Sequence, residues 1–176
     1  IIVVDNPEKF NFQLENIQIV SAKKFISNKK YQNLRNARVF NLCNSYKYQS
    51  TGYYVSLLAS ARDHRVVPSV TTMGDFKNVS VIKSMSTEVD DLIQRTLNGD
   101  SAKKMVLNIY FGQTENTKYK LLAYKLYMLF ETPLLQVHFV KEDKWVIFKV
   151  MPLMISKLSV SELEGLEAYM QTFFSK

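Results

Sequence analysis

A chain of 176 residues, 47% of them apolar, can bury a sizeable core as one domain or as two small halves sharing a core, which excludes a disordered chain. A single cysteine, Cys43, excludes an intrachain disulfide, and with two histidines the chain shows no zinc-ligand spacing, so a reducing cytoplasm is the expected compartment. Its 23 basic and 16 acidic residues give a net charge of +7, which favours phosphate-bearing or acidic partners but is explained as simply by a solvated surface.

No run approaches the roughly 18 to 20 consecutive apolar residues of a membrane span, and the apolar opening at residues 1–4 stops at Asp5 and Pro7. A soluble domain with no visible targeting segment and no membrane partner is expected. Ile1 is not an initiator methionine, so the expectation is a chain that begins inside a longer precursor or has been processed.

The first 70 residues alternate short apolar runs with helical patterns, the signature of a parallel α/β sheet. Residues 1–4 predict a strand and residues 17–20 a second. Ser21 is placed to cap a short helix over 22–26, and a further turn or helix is expected over 29–35. Val39, Phe40, Asn41 and Leu42 make a third strand. After the polar loop 44–50, Tyr54, Val55, Leu57, Leu58 and Ala61 recur at helical spacing. Val66 and Val67 predict a last strand, ended by Pro68, which lacks an amide for the ladder.

The second half changes character. From Met85, the residues Val89, Leu92, Ile93 and Leu97 share one helical face, and Asn98-Gly99 is a suitable stop. Met105, Leu107, Ile109 and Phe111 alternate as a strand, followed by a helix over about 117–130. Two strands over 134–141 and 145–151, joined by Glu142-Asp143-Lys144, read as an antiparallel hairpin. Ser159 and Glu162 have the spacing of a capping box and open a final helix to Phe174. The fold class expected is α/β, with a Rossmann-like parallel sheet in the N-terminal half and an α+β C-terminal half containing the hairpin. Any internal boundary is expected between about 70 and 83.

The stretch from Val39 to Tyr54 holds the densest polar chemistry. In open α/β sheets ligands sit beyond the carboxyl ends of strands, where free amides at a helix N-terminus face an anion. Lys47 adds charge there, Tyr46, Tyr48 and Tyr53 could stack on a planar ligand, and Ser50 and Thr51 bring hydroxyls. The loop lacks the glycine spacing and Gly-Lys-Ser/Thr ending of a Walker loop. An equally economical reading has Ser50 or Thr51 capping the helix and the tyrosines covering the sheet edge.

Elsewhere the chemistry is thinner. Cys43 stands where a nucleophile could sit, but neither His64 nor His138 is spaced to serve as its base, and a buried structural cysteine is the commoner state. His64, between Asp63 and Arg65, reads as a cation suited to a helix end, and His138 as a polar-side strand residue. Arg35, Arg38, Arg62 and Arg65 read as solvated charges near helix ends. No acidic constellation matches magnesium-binding carboxylates.

The block over 37–72, ARVFNLCNSYKYQSTGYYVSLLASARDHRVVPSVTT, resembles the signature of the RimK-like ATP-grasp N-terminal domain family, as do IIVVDNPEKF, IVSAKKFI, DLIQRTL and NIYFG. In that family the positions of Asn44 and Lys47 are usually basic. Lys47 keeps the charge; Asn44 departs from it, which weakens the case for an anion contact there.

The resemblance implies a bacterial, cytoplasmic protein in which this domain precedes an ATP-grasp module of the same polypeptide. That module would hold ATP and magnesium, activate a carboxylate as an acyl phosphate and join it to an amine. These 176 residues would then be a noncatalytic substrate-recognition or assembly domain, with no cofactor of their own and an amino-acid or peptide substrate as partner. Carried over as ligand-binding candidates are Asn41, Asn44, Ser45, Tyr46, Lys47, Tyr48, Gln49, Ser50, Thr51, Gly52 and Tyr53, with no catalytic or metal residues. Competing readings are a basic nucleic-acid or anion-binding module, against which stands the scatter of the basic residues, and a small enzyme using Cys43.

Overall fold

In the computed structural model, which describes residues 1–176, the short β-branched runs of the N-terminal part form four parallel strands. They are β1 (Ile2–Val4), β2 (Ile19–Ser21), β3 (Arg38–Asn41) and β4 (Arg65–Val67), ordered β2-β1-β3-β4. Val3 is in register with Val20 and Asn41, and Val39 with Val66.

Because side chains alternate along a strand, Val3, Val20, Val39 and Val66 share one face. There they meet Phe25 of α1 (Ala22–Ser27), Tyr31 of α2 (Lys29–Asn33) and Val55 and Ala59 of α3 (Thr51–Ala61) in a buried cluster. Phe40 points to the opposite face. It packs edge-on against Phe173 and Phe174 at the end of α8 (Val160–Phe174), with ring centroids 5.6 and 5.0 Å away. The end of the last helix thus packs on the sheet face opposite α1 and α3.

The chain divides into two compact units, one of Ile1–Val70 with Met154–Lys176 and the other of Thr71–Leu153. In the second, β5 (Lys104–Tyr110), β6 (Leu134–Lys141) and β7 (Trp145–Pro152) form an antiparallel sheet in that order. Leu107, Val137 and Val150 line up across it, all buried. Helices α5 (Val79–Ser86) and α6 (Asp90–Leu97) pack on β7, and α7 (Lys120–Leu129) on β5. A bulge between His138 and Phe139 leaves Phe148 unpaired on β7 and 69% exposed. Gly99 follows the end of α6 with φ of 86°, the left-handed conformation in which glycine has no Cβ penalty.

Several expectations need correction, Leu42 and Phe111 among them, which fall just outside β3 and β5. The second strand begins at Ile19, so Ile17 lies outside it. The helix expected from Met85 starts at Val79 as α5, and a 3-10 turn over Thr87–Val89 separates it from α6. The short helix α4 (Val70–Asp75) was not foreseen, since its Thr72 and Gly74 are poor helix formers. His64 is no helix-end cation: it is buried, and its Nδ1 accepts the Ala37 amide at 3.1 Å. Burial, then the nearby Arg62 and Arg35 charges, lowers its pKa and keeps the ring neutral.

The arginines also do more than sit in water. Arg62 donates to the Phe25 and Ile26 carbonyls at 2.8 and 3.0 Å, satisfying groups near the end of α1, while its guanidinium lies 5.1 Å from the Phe25 ring centroid. Arg35 donates to the Gln32 and Leu34 carbonyls.

Candidate functional site

The strand order β2-β1-β3-β4 places β1 at the point where the chain turns from one side of the sheet to the other. Such a switch point opens a crevice beyond the carboxyl ends of the two strands that flank it, here β1 and β3. Two loops meet there. One begins at Asp5, the other runs from Leu42 to the N-terminus of α3, and the Asp5 carboxylate accepts the Asn44 amide at 2.7 Å.

Asn41, at the end of β3, is fully buried. Its Nδ2 donates to the Gly52 carbonyl at 2.8 Å and to Ser56 Oγ at 2.9 Å, and its Oδ1 accepts the Cys43 amide at 3.0 Å. Ser56 in turn donates to the Pro68 carbonyl at 2.7 Å. One amide therefore ties β3, the loop, α3 and the residue after β4 together, with both of its N–H donors used and the side chain buried away from solvent.

The loop is folded onto its own helix. Ser50 is the N-cap of α3: its Oγ accepts the Tyr53 amide at 3.2 Å and donates to the Ser45 carbonyl at 3.1 Å. Of the two capping candidates the structure selects Ser50, and Thr51 is exposed in the first turn. At Gly52 a Cβ would stand 2.0 Å from the Ser45 carbonyl oxygen and 2.9 Å from the Cys43 Cβ, so this position admits only glycine without a shift of the loop. Gln49 turns the chain into the helix with φ of 66°.

Tyr46 donates its hydroxyl to the Asn41 carbonyl. Burial of that end raises its pKa well above the usual tyrosine value, and Cys43 and Asp5 add to the effect. The Cys43 thiol is raised likewise, first by burial, then by the Asp5 charge and by its hydrogen bond to Asp5. A thiol so held is not a nucleophile at neutral pH.

Asn44 is spent on structure as well, since its Oδ1 accepts the Ser156 amide at 3.2 Å and so joins the loop to the C-terminal return of the chain. A basic residue at this position could not accept that hydrogen bond.

The loop's outer rim is what faces solvent. Lys47 and Gln49 are exposed, and Lys47 forms no ion pair. Tyr48, 71% exposed, stands edge-on to Tyr53 at 5.2 Å, and Tyr53 edge-on to Tyr54 at 5.7 Å. The candidates thus separate. Asn41, Asn44, Ser45, Tyr46, Ser50 and Gly52 hold the loop in shape, while Lys47, Tyr48, Gln49, Thr51 and Tyr53 border the solvent.

Sequence reasoning missed Asp5, Ser56 and Ser156. Only Asp5 carries a signal, an acidic residue directly after the first strand in VVDNP. No group of three or more His, Cys, Asp or Glu side chains is arranged to hold a metal ion. No helix is long and apolar enough to cross a membrane.

Residues 22–169 match the family model described as RimK-like ATPgrasp N-terminal domain. No curated protein matches the chain.

Proposed function

The chain belongs to the RimK-like ATP-grasp N-terminal domain family, and from that premise we propose that it is the noncatalytic substrate-recognition domain of an ATP-dependent carboxylate–amine ligase. Membership implies an ATP-grasp module in the same polypeptide. ATP and magnesium would belong to that module, and the β1/β3 crevice of this domain would present an amino-acid or peptide substrate.

The observation that supports this reading is the composition of the loop's exposed surface. Lys47 offers an unpaired cation to a substrate carboxylate, and the Tyr48, Tyr53 and Tyr54 ladder offers flat, partly apolar faces beside it. The Asp5 carboxylate lies at the same strand ends. Its charge opposes a polyanion settling close to β1, which favours a peptide or amino acid over a nucleic-acid backbone.

The test is ligation by the whole polypeptide, module included, with and without Lys47→Ala. A rise in KM for the peptide or amino-acid substrate of about five- to thirtyfold at unchanged kcat supports recognition through this rim. Unchanged KM overturns the assignment of the site. Tight, salt-dependent binding of an oligonucleotide instead of a peptide would move the chain to the nucleic-acid-binding class.

A further inference from the structure

The second unit holds a cleft of about 650 Å3 between α5, the turn into α6 and the β6-β7 hairpin. That volume lies within the roughly 300–1,000 Å3 of small-molecule sites. Its walls are apolar, built from Val79, Ile82, Ile93, Trp145, Ile147 and Phe148. Val79 and Phe148 are 64% and 69% exposed at its edge, an arrangement that leaves large apolar surface in water until something covers it.

The floor is fixed by hydrogen bonds. Gln94 reads the edge of β7 as a neighbouring strand would: its Nε2 donates to the Trp145 carbonyl at 2.6 Å and its Oε1 accepts the Trp145 amide at 3.1 Å. Gln94 also donates to Asp90 Oδ1 at 3.0 Å, and Asp90 Oδ2 pairs with Lys144 at 3.0 Å. Trp145 is 2% exposed, and its indole N–H is buried with no acceptor.

The charges around the cleft decide the class of ligand. Four charged side chains line it: Lys83, Asp90, Glu142 and Lys144. Asp90 and Lys144 neutralise each other. Lys83 and Glu142 form no ion pair, which leaves one cation and one anion beside an apolar chamber. A zwitterion matches both, whereas an anion or a cation alone would match one and be repelled by the other.

We infer that this cleft binds a free α-amino acid with a large apolar side chain, its carboxylate toward Lys83, its ammonium toward Glu142 and its side chain among Ile82, Ile93, Trp145 and Phe148. The site is separate from the β1/β3 crevice and does not depend on the reading given for it.

Trp145 is the only tryptophan in the chain, so its emission reports on this cleft alone. In the 176-residue chain, L-leucine should change that emission saturably. The analogues 4-methylpentanoate, which lacks the ammonium, and 3-methylbutylamine, which lacks the carboxylate, should each bind at least about fivefold more weakly. Lys83→Ala and Glu142→Gln, both at exposed positions, should weaken L-leucine by a similar factor with unchanged thermal unfolding, while Lys47→Ala leaves the Trp145 response intact.

Absence of a saturable response to L-leucine and L-phenylalanine up to about 20 mM overturns the inference. So does equal affinity for the analogues, or for the Lys83 and Glu142 variants. None of these outcomes bears on the Lys47 test of the first site, and failure there leaves this one standing.

Discussion

The Asp5 carboxylate at the end of β1 accepts the Asn44 amide, 39 residues away, at 2.7 Å. This bond clamps the loops that follow two adjacent parallel strands, and the same carboxylate takes the Cys43 thiol hydrogen bond. Asp5→Ala removes both contacts at once. Because Asp5 is exposed, the expected loss is about 1 kcal/mol, below that of a buried charged hydrogen bond. Urea unfolding followed by circular dichroism measures it, and a variant as stable as the parent would show that the clamp does not hold the loop.

The capping assignment separates two neighbouring hydroxyls. Ser50→Ala should cost about 1 kcal/mol, because the Tyr53 amide loses its acceptor and the Ser45 carbonyl its donor. Thr51→Ala, at an exposed first-turn position, should change stability by less than about 0.5 kcal/mol. Gly52→Ala should cost about 2 kcal/mol or more, since the added methyl meets a backbone carbonyl that cannot swing away. Chemical denaturation of the three variants gives the order, and a Thr51 loss equal to that of Ser50 would contradict the cap seen here.

Local signals made much of this fold legible in the sequence. Ser21 and the Ser159/Glu162 capping box mark true helix starts, because a cap needs only residues three apart. The hairpin turn at Glu142-Asp143-Lys144 and the breaks at Pro68 and Gly99 are local in the same sense. What escaped depends on distance. Phe40 gives no sign that its partners are Phe173 and Phe174, and so the return of α8 to the first sheet was not readable. Asn41 looked like a ligand candidate because a polar residue at a strand end usually is one. Its buried bonds to Gly52 and Ser56 exist only once α3 folds back on β3. Lys47 was legible as exposed charge, and Asp5 was passed over because it lies 39 positions before the amide it holds.

Cys43 should be chemically quiet in the native state. Burial, the Asp5 charge and the Asp5 hydrogen bond all act against its thiolate, the form that reacts. Iodoacetamide at pH 8 should label the folded chain far more slowly than the chain in 6 M guanidinium, by a factor of about 100 or more. Comparable rates in the two states would restore the idea of an accessible nucleophile.

The neutral His64 ring makes stability depend on pH. Its folded pKa is lowered from the ordinary 6.5, so in acid the unfolded chain takes up a proton that the folded chain resists. Stability from this group is complete above about pH 6.5 and falls as the pH drops below it. His138 is lowered as well, by burial and then by Lys149, and acts in the same direction. His64→Asn should therefore flatten part of the decline in unfolding free energy between about pH 6.5 and 5, leaving the remainder to His138. An unchanged slope would mean that His64 titrates alike in the folded and unfolded chains.

Lys47→Ala is the variant that bears most directly on function. Its side chain forms no ion pair and its backbone amide reaches Ser45 Oγ at 3.3 Å, a contact that the substitution keeps. The fold should therefore be indifferent to the change, within about 0.5 kcal/mol. A carboxylate bound at the rim would lose a charge-assisted hydrogen bond in solvent-exposed surroundings, about 1–2 kcal/mol or roughly a five- to thirtyfold weakening. Calorimetric titration of short peptides, their C-terminal amides and inorganic phosphate into parent and variant separates the sources. A loss seen for peptides with a free carboxylate and absent for the amides assigns Lys47 to the substrate carboxylate. Equal affinity of parent and variant for every ligand would leave the loop a structural element alone, held by Asn41, Ser50 and Gly52 for the sake of α3.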